Sequence, residues 1–298
     1  MSEFFGALDR AGRERVLRTQ ASSPRVTADP STSPAASGKA PLAAPPLFDP
    51  PTTAAELADR SHRVDASLVS LLNPASFEAE QYRVLRHVVE TLSKAANFKI
   101  VAITSPGVGD GKTTTAINLA GALAQSADSR VLLIDIDLRR PAVTRQLGLN
   151  GSKRSLVDAL LHSGLALEDT VEYLAHFNLS VMPAGGPVVA PYELLKSPRL
   201  EALLDEARRR YDYVLLDTPP FVPVPDCRVI EKYVDGFLTV VAAHRTPRGE
   251  LAQALDLMDP AKVAGLVFNR DNARRSSYYD AYVGSPRGAR WRLPWRKS

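Results

Sequence analysis

Along residues 77–94 the apolar positions Phe77, Leu85, Val88, Val89 and Leu92 fall at helical spacing, and beyond them two patterns alternate as far as residue 269. Strand-like runs are expected at 98–104, 130–136, 179–183, 213–217, 236–242 and 263–269. Helix-like runs are expected at 113–125, 155–161, 198–209, 229–233 and 248–258. Segments such as Val131-Leu132-Leu133-Ile134 and Val214-Leu215-Leu216 are apolar without period-two alternation, so helices should cover both of their faces. The fold class that follows is α/β: a doubly wound, mostly parallel sheet with helices on both faces.

The pattern changes at both ends of this block. Residues 1–20 allow a short helix with Ser2 as N-cap and Phe4, Phe5 and Leu8 on one side. Residues 21–66 are rich in Pro, Ala, Ser and Thr and bury too little apolar surface to offset chain entropy, which predicts a disordered tether. Residues 67–273 form the expected ordered domain, and residues 274–298 a flexible basic tail.

Composition adds exclusions. The chain is 45% hydrophobic and 23% charged, and no stretch approaches the ~18 uninterrupted apolar residues of a membrane helix. Neither an apolar leader core nor its cleavage site follows Met1, and Cys227 is the sole cysteine, so the expectation is a cytoplasmic protein with no internal disulfide. The net charge of +4 is unevenly placed. Arg274, Arg275, Arg287, Arg290, Arg292, Arg296 and Lys297 face Asp280 alone in the tail, so the rest of the chain is close to neutral. The basic pI of 9.2 therefore gives little reason to expect nucleic-acid binding. Trp291 and Trp295, interleaved with arginines, leave contact with acidic lipid headgroups open beside a plain solvated terminus.

The chemistry concentrates between the first strand and the next helix. Ser105-Pro106-Gly107-Val108-Gly109-Asp110-Gly111-Lys112-Thr113-Thr114 has the composition of a phosphate-binding loop. Its glycines let backbone N–H groups curl around phosphate oxygens, and the helix N-terminus adds partial positive charge. Residues 107–114 are the expected nucleotide contacts: Gly107, Val108, Gly109, Asp110, Gly111, Lys112, Thr113 and Thr114. Lys112 should reach the β- and γ-phosphates, and the Thr113 hydroxyl should coordinate Mg2+. Pro106 stands where the strict loop pattern has its first glycine. Asp135 and Asp137 end one expected strand and Asp217 another, and ligands of parallel sheets bind outside the carboxyl ends of the strands. All three carboxylates should therefore converge beside Lys112.

These residues together resemble the bacterial tyrosine autokinases of capsule and exopolysaccharide synthesis, a family of deviant-Walker phosphate-loop proteins. The resemblance rests on residues 103–114, on Leu132-Leu133-Ile134-Asp135-Ile136-Asp137-Leu138-Arg139, and on Val214-Leu215-Leu216-Asp217-Thr218-Pro219. Glu80, Arg83 and Arg86 match a helix that mediates ring assembly in that family. Positioning ATPases of the wider class carry an early loop lysine, where this chain has Gly107.

The resemblance implies that Lys112, Thr113, Asp137 and Asp217 hold MgATP and that Asp135 acts on an incoming tyrosine hydroxyl, which makes Lys112, Asp135 and Asp137 the expected catalytic residues. Asn269 falls where related ATPases contact adenine, with a turn asparagine as the alternative. Tyr278, Tyr279 and Tyr282 are the expected autophosphorylation sites, reached in trans within a homo-oligomeric ring. A separate transmembrane polysaccharide co-polymerase is the expected partner. Two alternatives stay open: a non-kinase ATPase or scaffold of polysaccharide export, and a partitioning-type positioning ATPase.

Overall fold

A computed structural model describes residues 64–149 and 154–271. The proposed N-terminal helix, the tether, the tyrosine cluster and the basic tail lie outside the described residues.

Helices α1 (Val69–Leu72) and α2 (Phe77–Ala96) precede strand β1 (Ile100–Thr104), which leads through the glycine-rich loop into α3 (Lys112–Ala124). Then follow β2 (Val131–Asp135), α4 (Val143–Gln146), α5 (Leu156–Leu161), β3 (Glu172–Leu174), β4 (Leu179–Met182), α6 (Pro191–Leu195) and α7 (Pro198–Arg210). Strand β5 (Tyr213–Asp217), α8 (Asp226–Ile230), β6 (Gly236–Ala242), α9 (Arg248–Leu257) and β7 (Val263–Asn269) complete the described part.

The seven strands form one sheet in the order β3-β4-β2-β5-β1-β6-β7, parallel except where β3 pairs antiparallel with β4 at the edge. The double burial expected of continuous apolar strands is visible residue by residue. Ile100 and Ala102 of β1 belong to a core with α5, α7 and α8, while Val101 and Ile103 face a second core with α3. Helix α3 is buried almost all round, as befits a helix laid between the sheet and α2.

Local chemistry sets the boundaries. Ser76 caps α2 by accepting the Ala79 N–H at 3.1 Å, and Asn97 ends it in the left-handed region. Ser155 and Asp158 make a capping box on α5. The strand expected from residue 98 begins at Ile100, because the Asp235 carboxylate takes the N–H groups of Lys99 and Ile100, each at 2.7 Å.

Three features depart from the sequence pattern. The helix expected at 229–233 starts three residues earlier, at Asp226, and ends in a single 3-10 turn at Glu231–Tyr233. Edge strand β3 and the short helices α1, α4 and α6 are too brief to show a period. Strand β7 is covered only in part, with Phe268 exposed at the sheet's edge.

Candidate active site

The phosphate loop turns on two glycines with positive φ, Gly109 at 88° and Gly111 at 96°, the latter as the N-cap of α3. A Cβ on Gly111 would fall 2.0 Å from the Asn269 amide nitrogen. That amide donates to the Asp110 carbonyl at 2.9 Å, so the end of β7 braces the loop from outside. The Asp110 side chain is buried rather than turned to a ligand. It accepts the Thr246 hydroxyl at 2.8 Å and the Gly107 N–H at 3.3 Å, while Thr246 itself accepts the Ala242 N–H. Ser105 closes the near side by donating to the Gly107 carbonyl at 2.6 Å. The loop's curve is thus held by side chains, and Pro106, buried where a first glycine was expected, is accommodated.

Three carboxylates meet this loop from neighbouring strands. The Lys112 ammonium lies 3.1 Å from the Asp137 carboxylate, and both side chains are largely buried. Asp135 and Asp217 are partners in the register of β2 and β5. Asp135 accepts the N–H groups of Asp137, Ala142 and Val143 at 3.2, 3.0 and 3.1 Å, and so ties the segment after β2 to the start of α4. Burial pushes its carboxyl up to about 6 despite those three donors, and the charge of Asp137 adds to the rise.

Asp217 is wholly buried, and neither of its oxygens meets a hydrogen-bond donor. Burial raises its pKa well above the ordinary carboxylate range, and Asp135 adds to the rise. The Lys112 charge and the Thr113 hydroxyl beside it oppose the rise. The structure therefore brings together Lys112, Thr113, Asp135, Asp137 and Asp217.

Other expected residues sit differently. The Thr114 hydroxyl is spent on Gln146 of α4 at 3.3 Å, and Val108 is exposed at the loop's tip. Asn269 is placed against the loop, its amide nitrogen engaged by the backbone. Glu80, Arg83 and Arg86 line α2, and all three have partners within the chain. Arg83 pairs with Glu80 and donates to the Pro74 carbonyl at 2.7 Å. Arg86 pairs with Glu90 and donates to the Ala122 carbonyl of α3 at 2.9 Å.

Thr246 and Asp226 carry no motif and escaped the sequence reading. Asp226, wholly buried, receives both Nε (2.7 Å) and Nη2 (2.9 Å) of Arg139, the arginine that closes the second motif.

A phosphate loop opening a buried helix, with acidic residues ending the two nearest strands on one side, defines a nucleotide-binding protein of the phosphate-loop α/β class. The family model of an AAA domain matches residues 98–227. The tyrosine-protein kinase YwqD of Bacillus subtilis is 33% identical over 226 residues, which span 75% of this chain and 94% of that protein. The succinoglycan biosynthesis transport protein ExoP of Rhizobium meliloti is 30% identical over 223 residues, 71% of this chain but only 27% of ExoP. The solved kinase domain of the Escherichia coli tyrosine kinase ETK superposes with a TM-score of 0.65 at 27% identity, covering 70% of this chain and 82% of that domain. The chain belongs to the family of bacterial tyrosine-protein kinases.

Proposed function

We propose that this chain transfers the γ-phosphoryl group of MgATP to tyrosine hydroxyls of a second copy of itself, within an oligomer that regulates polysaccharide polymerisation and export. The observation that carries this reading is Asp217, fully buried beside Lys112 and Thr113 with both oxygens unpartnered. A buried carboxylate without donors is costly unless a cation completes it. The Thr113 hydroxyl, Asp137 and Asp217 fit a magnesium site whose remaining ligands are phosphate and water oxygens. Magnesium, when bound there, would offset negative charge on the β- and γ-phosphates.

The chain's own residues then have distinct tasks. N–H groups of residues 108–114 cradle the phosphates, and Lys112, shared between Asp137 and the nucleotide, neutralises the transferring group. The phenol oxygen forms the new bond to the γ-phosphorus as the β–γ bridging P–O bond breaks, and ADP departs with that electron pair. Asp135, with a pKa raised toward neutrality, takes the phenol proton. Its present donors come from residues 137, 142 and 143, so this segment must ease outward for the phenol to reach it.

The acceptors in this reading are Tyr278, Tyr279 and Tyr282, and Glu80, Arg83 and Arg86 contribute to the contact between copies. ExoP is a transport protein far longer than the part matched here. Among the described residues no helix is long and apolar enough to cross a membrane. The partner in this reading is a transmembrane polysaccharide co-polymerase, and the kinase acts at the inner face of the membrane.

The test is phosphotyrosine mapping by mass spectrometry on the full chain incubated with MgATP and solubilised source-cell membranes. Phosphate on residues 278–282, absent in Lys112→Met and after EDTA treatment, supports the reading. ATP hydrolysis without any phosphotyrosine overturns it.

A further inference from the structure

One charge pair beside the site has no task in the chemistry above. Asp226 opens α8 and is wholly buried, and Nε and Nη2 of Arg139, at 2.7 and 2.9 Å, are the donors its carboxylate meets among the described residues. Its seat is firm. The neighbouring Cys227 thiol donates to the Pro219 carbonyl at 3.2 Å, and Cys227 and Ile230 are buried in the core, so α8 is fixed against the third motif. Arg139 is the looser partner, with 37% of its side chain exposed.

A pair of this kind contributes little to the fold, because stripping water from Asp226 offsets most of the attraction. Its effect is on the charges around it. Asp135, Asp137, Asp217 and Asp226 are all buried, and the cations paired among them are Lys112, on Asp137, and Arg139, on Asp226. Arg139 follows Asp137 by two residues, and the two interact: Asp226 holds the guanidinium above its ordinary pKa, and the Asp137 charge adds to the rise. A guanidinium is a planar fork that matches a carboxylate. Released from Asp226, it would close on Asp137 as soon as Lys112 turned to the nucleotide, and a carboxylate so occupied is closed to a metal ion.

We propose that Asp226 is a positioning residue that keeps Arg139 off Asp137, so that Asp137 stays open to magnesium when Lys112 turns to the nucleotide. The proposal rests on the magnesium reading above and adds to it the restraint that keeps one ligand of that site available. The geometry gives the pair an asymmetry that a plain structural tie lacks. Losing Asp226 sets a cation free beside a metal ligand, whereas losing Arg139 breaks the same pair and sets none free.

The test titrates Mg2+ into the full chain and reads the binding of a fluorescent ADP analogue. Asp226→Asn should raise the half-saturating Mg2+ about tenfold, the lower end of what losing an outer-shell partner of a metal ligand costs. Its affinity for the analogue in EDTA should not fall. Arg139→Gln should need no more Mg2+ than the parent, and adding Arg139→Gln to Asp226→Asn should bring the requirement most of the way back. Equal rises in the two single variants would make the pair a structural tie and overturn the proposal, as would an Asp226→Asn chain with the parent's requirement. A loss of affinity in EDTA as large as that in Mg2+ would also overturn it. If Asp226→Asn does not fold, Arg139→Gln decides alone: a rise in its requirement overturns the proposal, and an unchanged or lower one supports it. Analogue binding that ignores Mg2+ in the parent chain overturns the magnesium reading, and the proposal falls with it.

Discussion

The Lys112 ammonium sits 3.1 Å from the Asp137 carboxylate, so the first residue of α3 and the segment after β2 are joined by the chain's own charges. Each group is placed where the other can offset its charge, and both are largely shielded from water. Lys112→Met should therefore do two things. It should abolish phosphoryl transfer, and it should destabilise the nucleotide-free fold by about 1–3 kcal/mol, because Asp137 is left buried without its cation. The double variant Lys112→Met, Asp137→Asn should regain part of that loss in chemical denaturation and none of the activity. A single variant as stable as the parent would mean that the pair contributes nothing to the fold.

Asp217 and Asp135 give the nucleotide-free protein an unusual dependence on pH. Both carboxyls titrate above the ordinary carboxylate range, Asp135 at about 6, chiefly through burial. Between their unfolded and folded pKa values the folded state binds more protons, so stability falls as pH rises through that window. The penalty for ionising them is fully present above the folded values and fades on acidification. Asp217→Asn should consequently raise Tm at pH 8 by about 2–4 °C, equivalent to ~1 kcal/mol for a chain of this size, while removing magnesium-dependent activity. The gain should vanish as pH falls and Asp217 becomes neutral. Thermal melts of the two proteins at pH 5 and pH 8, each without nucleotide, check the sign.

The two loop glycines should differ in their tolerance of a methyl group. Both hold φ near 90°, but a Cβ at Gly109 meets open space, whereas one at Gly111 runs into Asn269. Gly109→Ala should cost about 1 kcal/mol from backbone strain alone. Gly111→Ala should add the steric conflict, cost about 2 kcal/mol or more, and weaken nucleotide binding by displacing the brace on Asp110. Adding Asn269→Ala should relieve the collision but leave the strain. Equal stabilities for the two single alanine variants would show that Asn269 moves aside freely.

How far the site could be read from the chain follows the range of the contacts that build it. Gly111, Lys112 and Thr113 announce themselves because a loop around phosphate needs those residues in sequence. Asp135, Asp137 and Asp217 follow because strand ends in a parallel sheet converge. Thr246 and Asp226 act through partners 136 and 87 positions away, Asp110 and Arg139, and nothing in their own neighbourhood marks them. Strand β3 is similarly silent: its three residues take their place from the ladder with β4, since Glu172-Tyr173-Leu174 shows no run from which a strand could be inferred. The same range explains the arginines of α2. Their spacing shows that they share a face, but only the packing shows Arg86 reaching the Ala122 carbonyl.

That last contact separates two roles that the sequence joins. Arg86 holds α2 to α3 inside one copy, while the Arg83–Glu80 pair is more exposed and better placed to exchange partners with a neighbour. Arg86→Ala should lower the stability of the dilute chain by about 1 kcal/mol, since the buried carbonyl of Ala122 loses a charged donor. Arg83→Glu sets like charges at i and i+3, worth a few tenths of a kcal/mol, and removes the solvent-exposed donation to the Pro74 carbonyl. If the stripe forms the contact between copies, Arg83→Glu should shift the sedimentation profile from assembly toward monomer while Tm at low concentration stays near that of the parent. Restoration of assembly by Glu80→Arg in the same chain would identify the pair as the exchanging element. An unchanged profile in Arg83→Glu would confine the stripe to its intrachain role and move the oligomer contact elsewhere.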